Sequence, residues 1–267
     1  SPPQLSPSDI LCSTLEIVRA NMLYIATSDI SPKLLNHLRR IAAFKNPEFY
    51  ARQAMRIATH TSPRIISCSE IIDRHLALPR GCEEVLVEIL DKLCVGYTIV
   101  DKTNAGNPIK VSFNGELRFD QQMAVVALIN NRIGTLSAAT AFGKSVVAAN
   151  IIAERKTNTL ILVHTKALME QWQSVLNKFL TIECDAPIEK PRRGRKRIWS
   201  PIGCVGSGKD RRSGLIDIAI MQSLTDGDSL KEWVRDYGMV IVDECHHLSA
   251  FSFERIMRFA NARYVYG

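Results

Sequence analysis

The chain has no apolar run approaching the ~18–20 uncharged residues of a membrane span, so no membrane partner is expected. It has no CxxC pair, no HExxH spacing and no histidine near its cysteines at zinc-ligand separation. The adjacent His246 and His247 invite a zinc ion, but neighbours on one turn point in different directions, and a zinc centre is not expected. Its seven cysteines are an odd number with no disulfide framework to read, and free thiols in a reducing cytoplasm are the expectation. The start, Ser1-Pro2-Pro3, is neither a signal peptide nor a Met start, and the sequence reads as a piece of a longer soluble protein.

What is present is core material. Hydrophobic residues make up 46% of the 267, ample for buried cores, and the length suits about two domains of ~100–200 residues each. The net charge is +7, and its location matters more than its size. Between Asp185 and Gly214, Arg192, Arg193, Arg195, Lys196 and Arg197, with Lys190, Lys209, Arg211 and Arg212, face three acids. Six of the seven excess charges therefore sit in one stretch. Contact with nucleic-acid phosphates is one reading; a solvated insertion that needs no partner is the other, and composition leaves both open.

Along the chain, Leu11, Leu15, Val18 and Met22 have helical spacing and predict a helix over 8–27. Ser31-Pro32 and Asn46-Pro47 each pair an N-cap with a proline at the first helical position, predicting helices over 34–44 and 49–58. Residues 64–68 read as a strand, 81–94 as an amphipathic helix, and 97–100 with 109–113 as a hairpin about Asn104 to Asn107. Residues 1–112 thus form a small α+β accessory domain with no catalytic constellation. Gripping duplex DNA, docking the rest of the parent protein and covering the sheet stay open for it, since its near-neutral charge selects none.

From Leu117 strands alternate with helices, the signature of a mostly parallel sheet with crossover helices. Helices are expected over 120–129, 144–154, 167–179, 229–237 and 252–261, and strands over 134–138, 159–164, 216–220, 239–242 and 263–266. The fold class is α/β, with this second domain covering 113–267.

Ala138-Ala-Thr140-Ala141-Phe142-Gly143-Lys144-Ser145 lies between a strand and a helix, where a phosphate-binding loop sits. Backbone N–H groups and the partial positive charge of the helix end would face a β-phosphate. Lys144 would reach the β- and γ-phosphate oxygens, and the Ser145 hydroxyl would ligate Mg²⁺. Ala138 stands where the general pattern has its first glycine, and an ordinary strand-to-helix turn is the competing reading. Gly203-Cys-Val-Gly206-Ser-Gly208-Lys209 fits the glycine spacing better, but Asp210 follows where Ser or Thr would hold the metal. With no apolar strand leading into it, it reads as a glycine-rich basic loop. Met239-Val-Ile-Val242 is an apolar strand ending on two acids. Asp243 is placed to hold the metal, directly or through water, and Glu244 to orient or deprotonate an attacking water.

These motifs together resemble those of superfamily 2 helicases. The first motif of that group, A-x-T-G-x-G-K-T, is followed by residues 138–145 with Ala141 for glycine and Ser145 for threonine. Asp243-Glu-Cys-His246 resembles a DExH box, and the resemblance gives His246 a part in coupling the nucleotide and nucleic-acid sites. Leu117-Arg-Phe-Asp-Gln121 looks like the segment whose glutamine recognises adenine, a role that falls to Gln121. Leu162-Val-His-Thr165-Lys166 with Gln171-Trp172 resembles motif Ia, and Asp217 to Leu224, with Gln222 and Ser223, resembles the motif Ib region. Both usually contact the nucleic-acid backbone.

The nearest likeness is to the XPB-like and type III restriction-subunit branch, especially helicase proteins of bacterial TOTE-type conflict systems, which implies phage defence in a bacterial cytoplasm. Asn46-Pro-Glu-Phe-Tyr50, Leu78-Pro-Arg-Gly81 and Asp243 to Ser249 carry it. What the resemblance implies is a RecA-like P-loop domain with ATP and Mg²⁺ as cofactors and nucleic acid, DNA before RNA, as partner. A second RecA-like domain with its arginine finger is expected as the missing partner, leaving this chain nearly inactive alone. A nucleic-acid-binding scaffold with a decayed ATP site is the alternative, motivated by Ala141 and Phe142.

Overall fold

The computed structural model of the chain describes residues 4–45, 49–50, 55, 64–184, 199–226, 229–244, 256 and 258–267. Arg192, Arg193, Arg195, Lys196, Arg197 and His246 lie outside them, as do most of the helix expected over 49–58 and half of that expected over 252–261. The chain divides into two compact units, Ser1–Lys102 and Thr103–Gly267. The division falls before the boundary read from the sequence at 112. Ile109 and Val111 explain the shift, because both bury their side chains in the core of the second unit.

In the first unit, the strands β1 (Leu15–Arg19) and β2 (Leu23–Ala26) pair antiparallel where a helix over 8–27 was expected. Leu15 and Ile17, then Leu23 and Ile25, are fully buried, whereas Leu11 is 60% exposed. The period-two pattern, strengthened by β-branched residues, outweighs the 3.6-residue coincidence. Helix α1 (Pro32–Ile41) begins as expected: the Ser31 hydroxyl accepts a hydrogen bond from the Leu34 N–H, with proline at the first position. A short antiparallel pair, β3 (Ala43–Lys45) with β4 (Ile65–Ser67), forms a sheet of its own. The strands β5 (Glu70–Ile72), β6 (His75–Leu78) and β7 (Tyr97–Asp101) complete a sheet of order β5-β6-β2-β1-β7. Helix α2 (Glu83–Lys92) buries Leu86 and Leu90 in the same core.

The expected hairpin of 97–100 with 109–113 does not form. β7 pairs parallel with β1, while β8 (Lys110–Phe113) pairs with β11 (Leu180–Glu183). The Asn-rich link is used otherwise: the Asn158 side-chain oxygen accepts from the N–H groups of Asn107 at 2.9 Å and Gly238 at 3.0 Å. The link is thereby fixed to the second unit.

That unit is built on a seven-stranded sheet. Its members are β9 (Ile133–Gly134), β10 (Thr159–Val163), β12 (Ile202–Gly206), β13 (Lys209–Arg211), β14 (Ile216–Ile220), β17 (Met239–Val242) and β18 (Tyr264–Tyr266). The order is β13-β12-β14-β10-β17-β18-β9, parallel throughout except for β13. The central strands are buried on both faces and read as largely apolar runs, interrupted by Thr159 in β10 and Asp217 in β14. Ile161, Val163, Ile218 and Ile241 face helices α3 (Phe119–Ile129), α4 (Lys144–Arg155) and α5 (Lys166–Phe179). Leu160, Leu162, Val240 and Val242 face the opposite layer, with Leu224, Val234, Tyr237 and Ala260. Where a helix was expected over 229–237, a two-residue pair, β15 (Thr225–Asp226) with β16 (Ser229–Leu230), precedes a 3-10 turn at Glu232–Asp236.

The presumed basic loop at 203–209 is also corrected. It is an edge hairpin of β12 and β13, turning through Ser207 and Gly208 at φ +52° and +74°. A Cβ on Gly203 would collide with a side-chain oxygen of the fully buried Asp217, and one on Gly206 would lie 2.6 Å from the Ile220 side chain. These glycines serve strand packing.

Candidate nucleotide site

The site is assembled at the carboxyl ends of the parallel strands, where ligands bind in open α/β sheets. After β9 the chain passes Leu136, whose N–H donates to the Gly267 carbonyl at 2.8 Å, and makes a single 3-10 turn, Thr140–Phe142. Gly143 then caps α4 in the left-handed region, φ +82°. A Cβ there would lie 2.8 Å from the Gln121 Nε2, so glycine is required for both conformation and room. With no side chain capping α4, the first N–H groups of that helix have no intrahelical acceptor and are suited to an anion. Lys144 and Ser145 open the helix, both half-buried.

Gln121 is 4% exposed, and both ends of its amide are engaged. Its oxygen accepts from the Arg118 N–H at 3.0 Å, and its nitrogen donates to the Phe142 carbonyl at 2.8 Å. Arg118 donates to the same carbonyl at 2.9 Å and lies 5.8 Å from the Phe142 ring centroid. In this arrangement the start of α3 braces the turn that leads into α4.

Across from the loop, β17 carries the two acids out of the core. The Asp243 N–H donates to the Leu162 carbonyl at 2.9 Å, extending the ladder with β10. Asp243 is half-buried, and its Oδ2 accepts a hydrogen bond from the Trp172 indole at 2.7 Å. Glu244 takes φ +50°, a conformation that non-glycine residues adopt rarely and that cuts the strand short. Lys144, Asp243 and Glu244 line one cavity with Trp172, Leu136 and Tyr266, of about 70 Å³. Burial pushes the Tyr266 hydroxyl above its ordinary range, against the opposing pull of Arg155. No group of three or more His, Cys, Asp or Glu that could hold a metal gathers among the described residues, where no helix is long and apolar enough to cross a membrane either.

Of the residues expected to meet nucleic acid, Thr165, Lys166, Gln222 and Ser223 are among the described ones, and they follow the carboxyl ends of two neighbouring strands, β10 and β14. Thr165 caps α5, accepting from the Leu168 N–H at 3.2 Å, and the exposed Lys166 lies 3.5 Å from Glu170. Gln222 and Ser223 occupy the 3-10 turn that follows β14, the neighbour of β10. Lys166 also borders a cavity of about 720 Å³ whose far wall is the β12–β13 hairpin, with Ser207, Lys209, Arg211 and Arg212. Sequence reasoning read those cations as part of a loop and missed the bond from Trp172 to Asp243. Its one trace was the Gln171-Trp172 pair.

A parallel sheet with a loop-to-helix anion cradle on one strand and paired acids on a nearby one defines a RecA-like α/β domain. The profile described as type III restriction enzyme, res subunit, matches residues 114–267, and the chain belongs to that family. Putative helicase 161L of Invertebrate iridescent virus 6 is 27% identical over 161 residues, 59% of this chain and 34% of its own length. The DNA 3'-5' translocase XPB2 of Sulfurisphaera tokodaii is 30% identical over 133 residues, 50% of this chain and 26% of its own. The chain therefore spans about a third or less of these relatives. The crystal structure of the UvsW helicase from bacteriophage T4 superposes with a TM-score of 0.62 at 18% identity, covering 95% of this chain and 91% of that one, a likeness of fold.

Proposed function

We propose that residues 103–267 form the ATP-binding domain of a DExH-type nucleic-acid helicase or translocase acting on DNA. The observation that carries this reading is that Lys144, Asp243 and Glu244 reach one cavity from two different elements. The residues fit Mg²⁺-ATP: an open helix start for phosphate, an ammonium beside it, and a carboxylate for the metal. The cavity is far below the roughly 300–1,000 Å³ of a whole small-molecule pocket and suits a phosphoryl group, so base and ribose would lie outside it. Bound there, Mg²⁺-ATP supplies the scissile phosphoryl group and the charge that must be neutralised. Lys144 would offset charge on the phosphate oxygens, Ser145 and Asp243 would hold the metal, and Glu244 would orient a water. The preference for DNA is supported by the translocase relative, which is named for DNA. Thr165, Lys166, Gln222 and Ser223 would follow the nucleic-acid backbone along the carboxyl ends of β10 and β14. Turnover is expected to need the arginine finger that the resemblance places on a second RecA-like domain.

The test is Mg²⁺-dependent binding of a fluorescent ATP analogue to this chain. Micromolar-to-millimolar binding, lost in Lys144→Ala and weakened but still measurable in EDTA, is expected. Binding that is indifferent to both would leave a scaffold with a decayed site. In the full-length parent protein, Glu244→Gln is expected to abolish DNA-stimulated ATP hydrolysis while sparing nucleotide binding.

A further inference from the structure

Trp172 lies about two turns along α5 from Thr165 and Lys166. It is 4% exposed, with its ring in the core beneath the sheet. A buried indole needs an acceptor for its N–H, and carbonyls commonly serve. Here the acceptor is Oδ2 of Asp243, 2.7 Å away and 71 residues distant in sequence, beside the cavity that Lys144 and Glu244 share. The bond fixes the rotation of the carboxylate about its last side-chain torsion. With Oδ2 engaged, Oδ1 is the oxygen left for a metal.

We infer that Trp172 is a positioning residue of the metal site, holding Asp243 for Mg²⁺ and tying α5 to it. The inference rests on the nucleotide-site reading above. Because α5 is one unbroken helix from Lys166 to Phe179, displacement of its N-terminal turn by a bound nucleic-acid strand would be felt at Asp243 through this bond. Groups that orient a metal ligand without touching the metal typically contribute 10–100-fold to its affinity.

The experiment uses the whole chain and the variant Trp172→Phe, which keeps an aromatic ring but has no N–H to give. A fluorescent ADP analogue is titrated with Mg²⁺ at fixed nucleotide, and its affinity is measured separately in EDTA. The expected result is a Mg²⁺ midpoint raised about tenfold with metal-free affinity unchanged. An unchanged midpoint, or a parallel fall in both affinities together with the melting temperature, overturns the inference. Should Trp172→Phe fail to fold, Trp199→Phe with Trp233→Phe leaves Trp172 as the sole tryptophan. Its emission should then change when Mg²⁺ is added to the nucleotide-bound protein, and an emission blind to Mg²⁺ overturns the inference. Wild-type chain that binds Mg²⁺-nucleotide beside an unaffected Trp172→Phe removes only the role of Trp172. Wild-type chain that binds nothing, or binds equally with Lys144→Ala, removes the nucleotide site and this inference with it.

Discussion

Gly143 is held by two constraints at once, a left-handed backbone and the amide of Gln121 pressed against it. Replacing it with alanine adds a left-handed penalty of about 1–2 kcal/mol and pushes against Gln121. Gly143→Ala should therefore lower the melting temperature modestly and weaken nucleotide binding more than that loss explains; equal losses by calorimetry and titration would place the strain outside the site. Gln121 separates its two bonds by chemistry. Gln121→Glu keeps an acceptor for the Arg118 N–H but sets a carboxylate against the Phe142 carbonyl, whereas Gln121→Ala deletes both bonds at about 1–3 kcal/mol. Both should loosen the loop and weaken nucleotide binding. Full binding by Gln121→Glu would mean that the bond to Phe142 does not brace the loop.

Elements differ in how much of them a sequence discloses. The runs at 159–163, 216–220 and 239–242 are legible because strands buried on both faces are predominantly apolar, and α1, α3, α4 and α5 because each has a cap or a clear apolar face. β1 and β2 are hidden because Leu11, Leu15, Val18 and Met22 happen to fit the 3.6-residue period, and only burial reveals that the alternation of Leu15 with Ile17 and of Leu23 with Ile25 governs. The β12–β13 hairpin is hidden because its glycines mimic a phosphate loop; their reason, the closeness of Asp217 and Ile220, is tertiary. The site divides the same way. Lys144, Asp243 and Glu244 lie in local motifs, but the bond from Trp172 spans 71 residues, and no local pattern records it. Arg155 shows such non-local bonding joining three elements. From the end of α4 it donates to the carbonyls of Ile129 at 2.6 Å and Asn131 at 2.9 Å and to the Tyr266 hydroxyl, and it stacks 4.0 Å from the Tyr264 ring centroid. Arg155→Met should cost about 2–3 kcal/mol, seen in denaturant unfolding, by freeing the ends of α3 and β18 from α4. A change under half that size would mean that the strand and helix ends hold without it.

At the scale of the molecule, the cores decide what folds independently. The cluster around Leu15, Leu34, Leu76 and Leu86 draws only on the first unit, and the two clusters on the faces of the parallel sheet draw only on the second. Since burial of apolar surface is the main favourable term in folding, a chain cut between Lys102 and Thr103 divides none of these three clusters. Residues 103–267 should therefore fold alone, with a cooperative melt and the same Mg²⁺-nucleotide affinity within about twofold, since 0.4 kcal/mol corresponds to that factor. The cut must fall at Thr103 and not at 113. A piece starting at residue 113 would lack Ile109 and Val111 from its core, nearly all of β8, the Asn107 N–H bonded to Asn158, and the Ala105 carbonyl that accepts from the Thr157 hydroxyl at 2.7 Å. Circular dichroism melts of the two pieces, 103–267 and 113–267, would decide between the boundaries. A cooperative transition for the shorter piece, with none for the longer, would put the division back where the sequence alone suggested it.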